Sequence, residues 1–427
     1  MQHPKPKVLP SRSHGRQASA GLPASRRGRG PSQGGDPYVP RLIAWEVTRR
    51  CPLACWHCRA DARAGPAEGE LTTDEGRRLL EAIAAMAKPT IILTGGEPLE
   101  RKDVFDLARH ARGLGLGVAL ASCGLPINDE TARAAAEAGI EAISISLDGA
   151  TAASHDAFRG AAGAFEAARR GIEAVKRAGI PFQINTTVAR HNAAELPAIL
   201  EMAARLGAVT FNPFLLVPTG RGRALADQEL SAEEYERTLR WLADEAVPKS
   251  GPIPGRRDIK IRVTCAPHYQ RIRLSRPEPV SHLKDGGSPD PPSSKKREKS
   301  RWVRRPTAPK EVVKPVLAAG EPEERGGCLG GNAFAFISHR GIVHIFGFLD
   351  VACGDLRKAN FDFRRIWETS EVFRAVRDVD GYGGKCGRCE YRAACGGCRA
   401  RAYAVTGDYL AEEPFCAYRP QGESRPG

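Results

Sequence analysis

Short apolar runs alternate with amphipathic stretches over the first half of the chain. Helical patterns such as TTDEGRRLLEAIAAMA and NDETARAAAEAG separate the runs, with Asp or Asn near their starts as capping residues. Strand followed by helix, repeated six times, predicts an α/β fold, in which helices wrap a parallel sheet that is either open or an incomplete (β/α)6 barrel. The predicted strands are LIAWEV (42–47), TIILTGG (90–96), GVALASC (117–123), AISISLDG (142–149), FQINTTV (182–188) and AVTFNPFLL (208–216).

Candidate ligands follow the first two predicted strands. Cys51, Cys55 and Cys58 stand after the first strand with the spacing C-x3-C-x2-C, and TGGEPL (94–99) ends the second. Ligands of parallel α/β folds bind at the carboxyl ends of the strands, so both motifs are expected at one edge of the sheet. A structural zinc site takes four protein ligands, whereas this spacing supplies three. The adjacent glycines allow close approach of the backbone to a ligand, and Glu97 offers a carboxylate.

The charge of the chain is concentrated in two segments. The 427 residues carry a formal net charge of +14. Residues 1–37 hold seven Lys or Arg against one Asp, and residues 271–325 hold fourteen against eight Asp or Glu. Their composition cannot bury a core, so we predict a disordered basic tail (1–37) and a low-complexity insert or linker (271–325). Since the remainder is near neutral, the charge does not indicate nucleic-acid binding.

The apolar runs and the cysteines indicate the compartment. No apolar stretch is long enough to span a bilayer, and residues 1–37 lack the apolar run of a secretory signal. We therefore expect a cytoplasmic protein with no membrane partner. In a reducing compartment the 12 cysteines are expected to bind metal rather than to form disulfides.

Together the two motifs resemble those of the radical S-adenosylmethionine (SAM) superfamily. The resemblance implies that Cys51, Cys55 and Cys58 are catalytic and hold a 4Fe–4S cluster at three of its irons. SAM would chelate the fourth iron, and its reductive cleavage would give methionine and a 5′-deoxyadenosyl radical. An aromatic residue beside the last cysteine, Trp56 or His57, would accompany the cofactor.

The same resemblance implies further contacts to SAM. Residues of the TGGEPL motif would meet its methionine amino group, and polar residues at later strand ends would line its ribose and carboxylate side. Ser and Asn at strand ends also commonly bond to the following turn, which leaves a second interpretation open for two of them. The implied cofactor-binding residues are Gly95, Gly96, Glu97, Pro98, Ser146, Asp148 and Asn185.

A second cysteine group lies near the end of the chain. KCGRCEYRAACGGC and EEPFCAY supply Cys386, Cys389, Cys395, Cys398 and Cys416, and from these residues alone zinc and iron–sulfur binding are equally open. With the first motif present, the pattern resembles the SPASM-type extension of radical enzymes. The resemblance implies a core barrel (38–270), a SPASM-like domain (326–427) and at least one auxiliary 4Fe–4S cluster. The ligands implied for that cluster are Cys386, Cys389, Cys395 and Cys416.

SPASM proteins usually carry a second auxiliary cluster, which here would use Cys328 and Cys398. The hairpin that should supply another cysteine has Phe346 in that place, and phenylalanine cannot ligate iron. We therefore do not expect this cluster unless Cys353 or Cys265 substitutes. Cys265 could equally be a ligand, a substrate-site thiol or a core residue, and we favour the latter two.

Three stretches, 263–272, 327–357 and 395–418, are similar to the radical enzymes of the alternative haem pathway. The similarity is greatest to the haem b synthases, which convert iron-coproporphyrin III to protohaem by oxidative decarboxylation of propionates. It implies a tetrapyrrole substrate, an electron donor such as flavodoxin or ferredoxin, and an auxiliary cluster that accepts an electron. We expect Arg221, Arg223 and Arg271 to bind substrate carboxylates, and His268 is a candidate axial ligand of the haem iron.

Other functions remain open at this point. A sibling enzyme could act on didecarboxysirohaem or in haem d1 synthesis, and many SPASM proteins modify ribosomal peptides. Peptide maturases commonly carry an N-terminal peptide-binding domain, for which residues 1–37 are too short and too polar. A non-catalytic iron–sulfur scaffold is disfavoured, because TGGEPL would then have no cofactor to contact.

Overall fold

The computed structural model describes residues 38–65, 67–246, 259–275 and 328–421. The predicted basic tail (1–37) and residues 276–325 of the predicted insert (271–325) lie outside the described residues, whereas residues 271–274 of that insert belong to a helix, His268–Leu274. The described residues, from Tyr38 onward, belong to one compact unit. No helix in the described ranges is long and apolar enough to cross a membrane.

All six predicted strands are present, and they pair in parallel in chain order. Their registers bring the carboxyl ends of neighbouring strands to the same edge, as the sequence requires for a shared site. The prediction of a parallel α/β fold is confirmed. The strands are β1 (Leu42–Thr48), β2 (Thr90–Gly95), β3 (Gly117–Ser122), β4 (Ala142–Ser146), β5 (Phe182–Val188) and β6 (Thr210–Leu215).

Four further strands extend the sheet at both sides. β7 (Lys260–Ile261) lies parallel beside β6, and β8 (Phe334–Ile337) lies parallel beside β1. β9 (Ile342–His344) and β10 (Ala352–Asp355) then continue antiparallel from β8. The ten strands run from β10 at one side to β7 at the other. The C-terminal cysteine-rich segment is therefore attached to the sheet at β1, the strand that precedes the first cysteine motif.

Helices cover the outer face of the sheet. Capping boxes at Thr72, Asn128, Thr151 and Ser231 start four of them, because each of these side chains accepts a backbone N–H of the first turn. The helices are α1 (Thr73–Met86), α2 (Val104–Gly113), α3 (Asp129–Glu137), α4 (Ala152–Arg159), α5 (Ala164–Arg177), α6 (Leu196–Leu206), α7 (Ala232–Glu245), α8 (His268–Leu274), α9 (Phe363–Thr369), α10 (Glu371–Arg377), α11 (Gly384–Arg388) and α12 (Arg399–Thr406).

The two faces of the sheet differ in side-chain size. Large apolar residues such as Ile43 and Trp45 belong to the main core. On the opposite face Ala119 and Ala142 form a small separate cluster with Ile92. Toward the carboxyl ends, small and polar residues of this inner face keep part of their exposure. The inner face is therefore closed by small side chains in the first half of the strands and becomes partly accessible only toward their carboxyl ends, where ligands of such folds bind.

Candidate active site

The first cysteine motif forms a buried loop directly after β1. The backbone N–H groups of Leu53 and Ala62 point at the sulfurs of Cys51 and Cys58, with N···Sγ distances of 3.4 Å in both cases. Nη1 of Arg159 lies 3.7 Å from Cys55 Sγ. Each of the three sulfurs therefore faces one N–H donor, an arrangement that stabilises thiolates bound to iron.

The thiols of Cys51 and Cys55 are protonated unless a metal displaces their protons. Burial raises the pKa of Cys51 to about 12. Burial also raises the pKa of Cys55, against the opposing charge of Arg159. In the described ranges, no three His, Cys, Asp or Glu side chains converge closely enough to hold a single metal ion. An iron–sulfur cluster binds its thiolates on separate irons, so the donor set fits a cluster.

The two glycines of TGGEPL bring β2 against the cysteine loop. The N–H groups of Gly96 and Glu97 donate to the carbonyls of Thr48 and Arg50 at 2.8 and 2.7 Å. A Cβ atom on Gly95 would lie 2.3 Å from the Thr48 oxygen, and one on Gly96 would lie 2.2 Å from the Arg50 oxygen. Side chains at these positions would therefore push the two motifs apart, which explains why both are glycine.

Glu97 is buried beside the ends of β2 and β3. Its Oε2 accepts hydrogen bonds from Ser122 Oγ and the Cys123 N–H at 2.9 and 2.8 Å, and its Oε1 accepts from the Leu99 N–H. Burial raises the pKa of this carboxyl, although the three donors oppose the shift. Pro98 then begins a short 3-10 turn. The carboxylate is thus held in one orientation next to the cysteine loop.

Asp148 joins the cysteine loop to β4. Its Oδ2 lies 2.6 Å from Arg159 Nη2 and 3.4 Å from His57 Nε2, and its Oδ1 accepts the Thr187 N–H at 2.7 Å. Burial acts to raise the pKa of Asp148, but the charge of Arg159 holds it below its usual value. Arg159 therefore binds a carboxylate on one side and the Cys55 sulfur on the other.

Of the two aromatic candidates beside Cys58, His57 is the one that points inward. Burial lowers its pKa to about 3, so the imidazole is neutral. Its ring stacks on Phe158 with centroids 4.1 Å apart. Trp56 is 58% exposed.

Ser146 and Asn185 lie opposite each other on β4 and β5. Both are partly exposed on the inner face, at the strand ends near Asp148. Asn185 Oδ1 accepts from Gln183 Nε2 at 2.8 Å and from Asn212 Nδ2 at 3.4 Å. The structure thus brings the three predicted strand-end residues to one side of the site.

Two of the predicted substrate cations have other partners. Arg221 Nε donates to the Cys55 carbonyl at 2.9 Å and its Nη1 to the Ala62 carbonyl at 2.6 Å, so this side chain holds the cysteine loop. Arg271 is buried and pairs with Glu236. Arg223 is exposed. His268, the candidate haem ligand, is also buried, and burial lowers its pKa to about 4.

The four cysteines predicted to hold an auxiliary cluster, Cys386, Cys389, Cys395 and Cys416, line one pocket. The Glu413 N–H donates to Cys386 Sγ at 3.3 Å and the Gly397 N–H to Cys395 Sγ at 3.4 Å. Left-handed φ angles of 69° at Gly396 and 68° at Gly397 turn the chain around this pocket. As in the first loop, backbone donors face the sulfurs, so this donor set also fits an iron–sulfur cluster.

Three other cysteines gather close by. The thiols of Cys265 and Cys398 are hydrogen-bonded to each other, and Cys328 lies near enough to interact electrostatically with both. Cys353 contacts Ser370 instead. The sequence favours a core or substrate-site role for Cys265. In the structure its thiol instead lies with those of Cys328 and Cys398, the two cysteines expected at a second auxiliary cluster.

A buried charged group on the inner face was missed from the sequence. Glu46 of β1 lies 3.0 Å from His339 Nδ1 and 3.5 Å from Arg59 Nη1, and Arg59 lies 4.5 Å above the Phe336 ring. Burial acts to raise the pKa of Glu46, but His339 and the arginines lower it to about 2. The available signal was a glutamate inside the otherwise apolar run LIAWEV.

Comparisons with known proteins define the class. Residues 45–203 match the family model of the radical SAM superfamily, a range that includes both motifs. The SAM-bound structure of SuiB from Streptococcus suis aligns with a TM-score of 0.64 and 13% identity, covering 89% of this chain and 78% of SuiB. The fold and the site are those of a radical SAM protein with a C-terminal extension.

Similarity to curated proteins identifies the family within the radical SAM superfamily. The AdoMet-dependent heme synthase of Methanosarcina barkeri is 43% identical over 383 residues, covering 90% of this chain and 97% of the relative. The Fe-coproporphyrin III synthase of the same organism is 29% identical over 386 residues, covering 88% and 87%. The chain belongs to the AdoMet-dependent heme synthase family of radical SAM enzymes. Membership implies a 4Fe–4S cluster and SAM as cofactors.

Proposed function

We propose that this protein converts iron-coproporphyrin III to protohaem by oxidative decarboxylation of two propionate side chains to vinyl groups. The observation that carries the proposal is the 43% identity to an AdoMet-dependent heme synthase across 90% of the chain. The sibling named Fe-coproporphyrin III synthase is less similar, at 29%. The buried three-cysteine loop and the glycine cradle beside it support the radical chemistry that such a conversion needs.

Different residues at the strand ends would bind the cluster and SAM. Cys51, Cys55 and Cys58 would hold the cluster, and Glu97 would accept hydrogen bonds from the ammonium of SAM. When bound, the cluster and SAM supply a hydrogen-abstracting 5′-deoxyadenosyl radical. Other side chains act on the loop itself: Arg159 donates to Cys55, and Arg221 fixes the loop through two carbonyls. Ser146, Asp148 and Asn185 would line the ribose side.

The inner face offers a surface for a flat, apolar macrocycle. At the carboxyl ends of the strands, Ser146 and Asn185 of this face are partly exposed. The rings of Phe214 on β6 and Phe348 after β9 lie with centroids 6.3 Å apart and are both partly exposed. We infer that the tetrapyrrole lies against these aromatic residues, with one propionate directed toward the three-cysteine loop.

The reaction needs an electron acceptor. Removal of a hydrogen atom from the β-carbon of a propionate leaves a carbon radical, and loss of CO2 and one electron then gives the vinyl group. An auxiliary 4Fe–4S cluster, which the pocket of Cys386, Cys389, Cys395 and Cys416 would hold, can supply that acceptor. We further propose a cytoplasmic location and a small electron donor such as flavodoxin or ferredoxin for the first cluster.

Mass spectrometry of anaerobic reactions tests the proposal. Reconstituted protein with SAM and dithionite is given iron-coproporphyrin III, didecarboxysirohaem or no tetrapyrrole. We expect a product that has lost two carboxyl groups as CO2 from iron-coproporphyrin III, and no such product from the Cys55→Ala protein. Turnover of didecarboxysirohaem alone would assign the chain to the sibling reaction instead.

A further inference from the structure

We propose that His268 and Arg271, on the helix that follows β7, donate hydrogen bonds to the group in the four-cysteine pocket, that Arg271 also contributes its positive charge, and that both residues thereby raise the reduction potential of this group. The inference rests on the proposed auxiliary cluster but not on the identity of the tetrapyrrole. It assigns to these two residues a positioning and tuning role, in place of the substrate contacts that the sequence suggested.

His268 brings an unpartnered imidazole to the pocket. Its side chain lines the pocket together with the four cysteines and is 1% exposed. Both of its ring nitrogens are buried, and neither has a hydrogen-bond partner among the described residues. The ring makes an edge contact with Tyr235, with centroids 5.8 Å apart, which fixes its position. A buried N–H without a partner is costly, so a ligand in the pocket is expected to accept it.

Arg271 lies one turn further along α8 and lines the same pocket. Its Nη2 pairs with Glu236, but its Nε is buried without a partner in the described part of the chain. The guanidinium lies 4.7 Å above the ring of Tyr418. Its charge acts to lower the pKa of both Cys389 and Cys416, although burial raises each of them overall. Arg271 is therefore close enough to these sulfurs to act on them electrostatically.

Other charged side chains also line the pocket. Lys385 donates to the Cys416 carbonyl at 2.6 Å, and Arg392 donates to the Cys389 carbonyl at 3.3 Å. Glu413 is the acidic residue of the lining, and its carboxylate is matched by Arg401 at 3.3 Å. The lining thus holds Arg271, Lys385 and Arg392 beside Glu413, while Glu236 and Asp380 outside the lining pair with Arg271 and Arg392.

Physical chemistry sets the direction of the effect. A 4Fe–4S cluster on four thiolates is an anion, and it gains one more negative charge when it is reduced. Hydrogen bonds to its sulfurs and nearby cations stabilise the reduced state more than the oxidised state, which raises the potential. A higher potential suits a cluster that must take an electron from a substrate radical.

The test is a redox titration monitored by electron paramagnetic resonance, without substrate. The parent protein carries Cys51→Ala, Cys55→Ala and Cys58→Ala, so that only C-terminal clusters contribute, and Cys328→Ala is added if a second auxiliary signal is present. Into this parent are placed His268→Leu, His268→Gln, Arg271→Met and Arg271→Lys. Arg273→Met, on the same helix but exposed, is the matched control.

We expect His268→Leu and Arg271→Met to shift the potential to more negative values, with smaller shifts in His268→Gln and Arg271→Lys and no shift in the control. Loss of the cluster in His268→Leu but not in His268→Gln would also support a donor role. An unchanged potential in loaded His268→Leu and Arg271→Met proteins would overturn the inference, as would cluster loss in His268→Leu and His268→Gln alike. A parent that binds no auxiliary cluster would instead contradict the proposed function.

Discussion

The loop of Cys51, Cys55 and Cys58 and the pocket of Cys386, Cys389, Cys395 and Cys416 use the same ligand chemistry for different purposes. The loop offers three thiols, and its one buried cation, Arg159, is balanced by Asp148. The pocket offers four thiols, and its lining includes Arg271, Lys385 and Arg392 beside Glu413. Arg271 and Arg392 also pair with carboxylates outside the lining, Glu236 and Asp380. We infer that the loop leaves one iron of its cluster open for SAM, whereas the pocket would complete its cluster with four thiolates and place the buried nitrogens of His268 and Arg271 beside it.

The scaffolds of the two sites differ as well. The loop is attached to the ends of β1, β2 and β4, which neighbouring strands hold in register. The pocket is built from the five-residue helix α11, turns and the side chains of α8. Precise placement of a reacting atom benefits from rigid strands, while electron transfer tolerates a looser scaffold. We infer that the difference separates radical generation from electron acceptance.

The largest expected effect is at the three-thiol site. Cys55→Ala removes one of three ligands and leaves Arg159 without its sulfur partner, so cleavage of SAM should be abolished while the C-terminal cluster stays in place. The measurement is 5′-deoxyadenosine formation with dithionite, together with iron content. Cys353→Ala is the matched control, because Cys353 contacts Ser370 and belongs to neither cysteine motif. Retained cleavage of SAM by the Cys55→Ala protein would contradict the assignment of the three-cysteine loop as the radical-generating site.

The four-thiol site should respond differently. Cys416→Ala should still give 5′-deoxyadenosine with iron-coproporphyrin III but little or no divinyl product, because the substrate radical then has no acceptor for its electron. Both products are quantified by liquid chromatography and mass spectrometry. Cys353→Ala, which removes a buried thiol that contacts Ser370, should leave both yields unchanged. Full vinyl formation by a Cys416→Ala protein that lacks the cluster would show that the pocket is structural.

These differences explain how much could be predicted from the sequence. β1 to β6 were found because each is a continuous apolar run followed by a helical pattern. β7 has only two residues, and β8 joins the sheet beside β1 from almost 300 positions away in sequence, a pairing that no local pattern encodes. The cysteine motifs were found because their spacings are local.

Side-chain partners across elements could not be predicted in the same way. The sequence suggests a substrate contact for Arg221 because it follows the sixth strand, and for Arg271 because it follows His268 and Tyr269. Their partners, Cys55 and Glu236, are set by packing. The sequence favours a core or substrate-site role for Cys265, because its distance from Cys398 depends on how α8 meets the C-terminal segment. The buried pair of Glu46 and His339 could not be predicted for the same reason, because the two residues are far apart in the sequence.

A smaller effect is expected when the close approach of the TGGEPL motif to the cysteine loop is disturbed without loss of a cysteine ligand. Gly96→Ala places a Cβ atom 2.2 Å from the Arg50 carbonyl oxygen, so the loop must shift although all three cysteines remain. We expect reduced cluster loading and a markedly lower rate of SAM cleavage. Gly113→Ala, where a Cβ would meet nothing within 4 Å, is the control and should behave as wild type. Equal rates in Gly96→Ala and Gly113→Ala would contradict the proposed role of the close approach.

The smallest expected effect concerns a third cysteine group. Like the loop it has three cysteines, and like the pocket it lies in the C-terminal part of the structure. Cys265, Cys328 and Cys398 gather although Phe346 stands where the hairpin should supply a ligand. Three thiolates suffice for the radical cluster when another molecule completes it, so we expect this group to hold iron too. Wild-type protein should then contain about twelve irons per chain, and Cys328→Ala about eight, with SAM cleavage retained. Cys123→Ala, at a cysteine outside this group, should leave the iron content unchanged. About eight irons in wild type and in Cys328→Ala would show that the third group binds no iron when Phe346 replaces a ligand. The protein would then hold two clusters, one in the loop and one in the pocket.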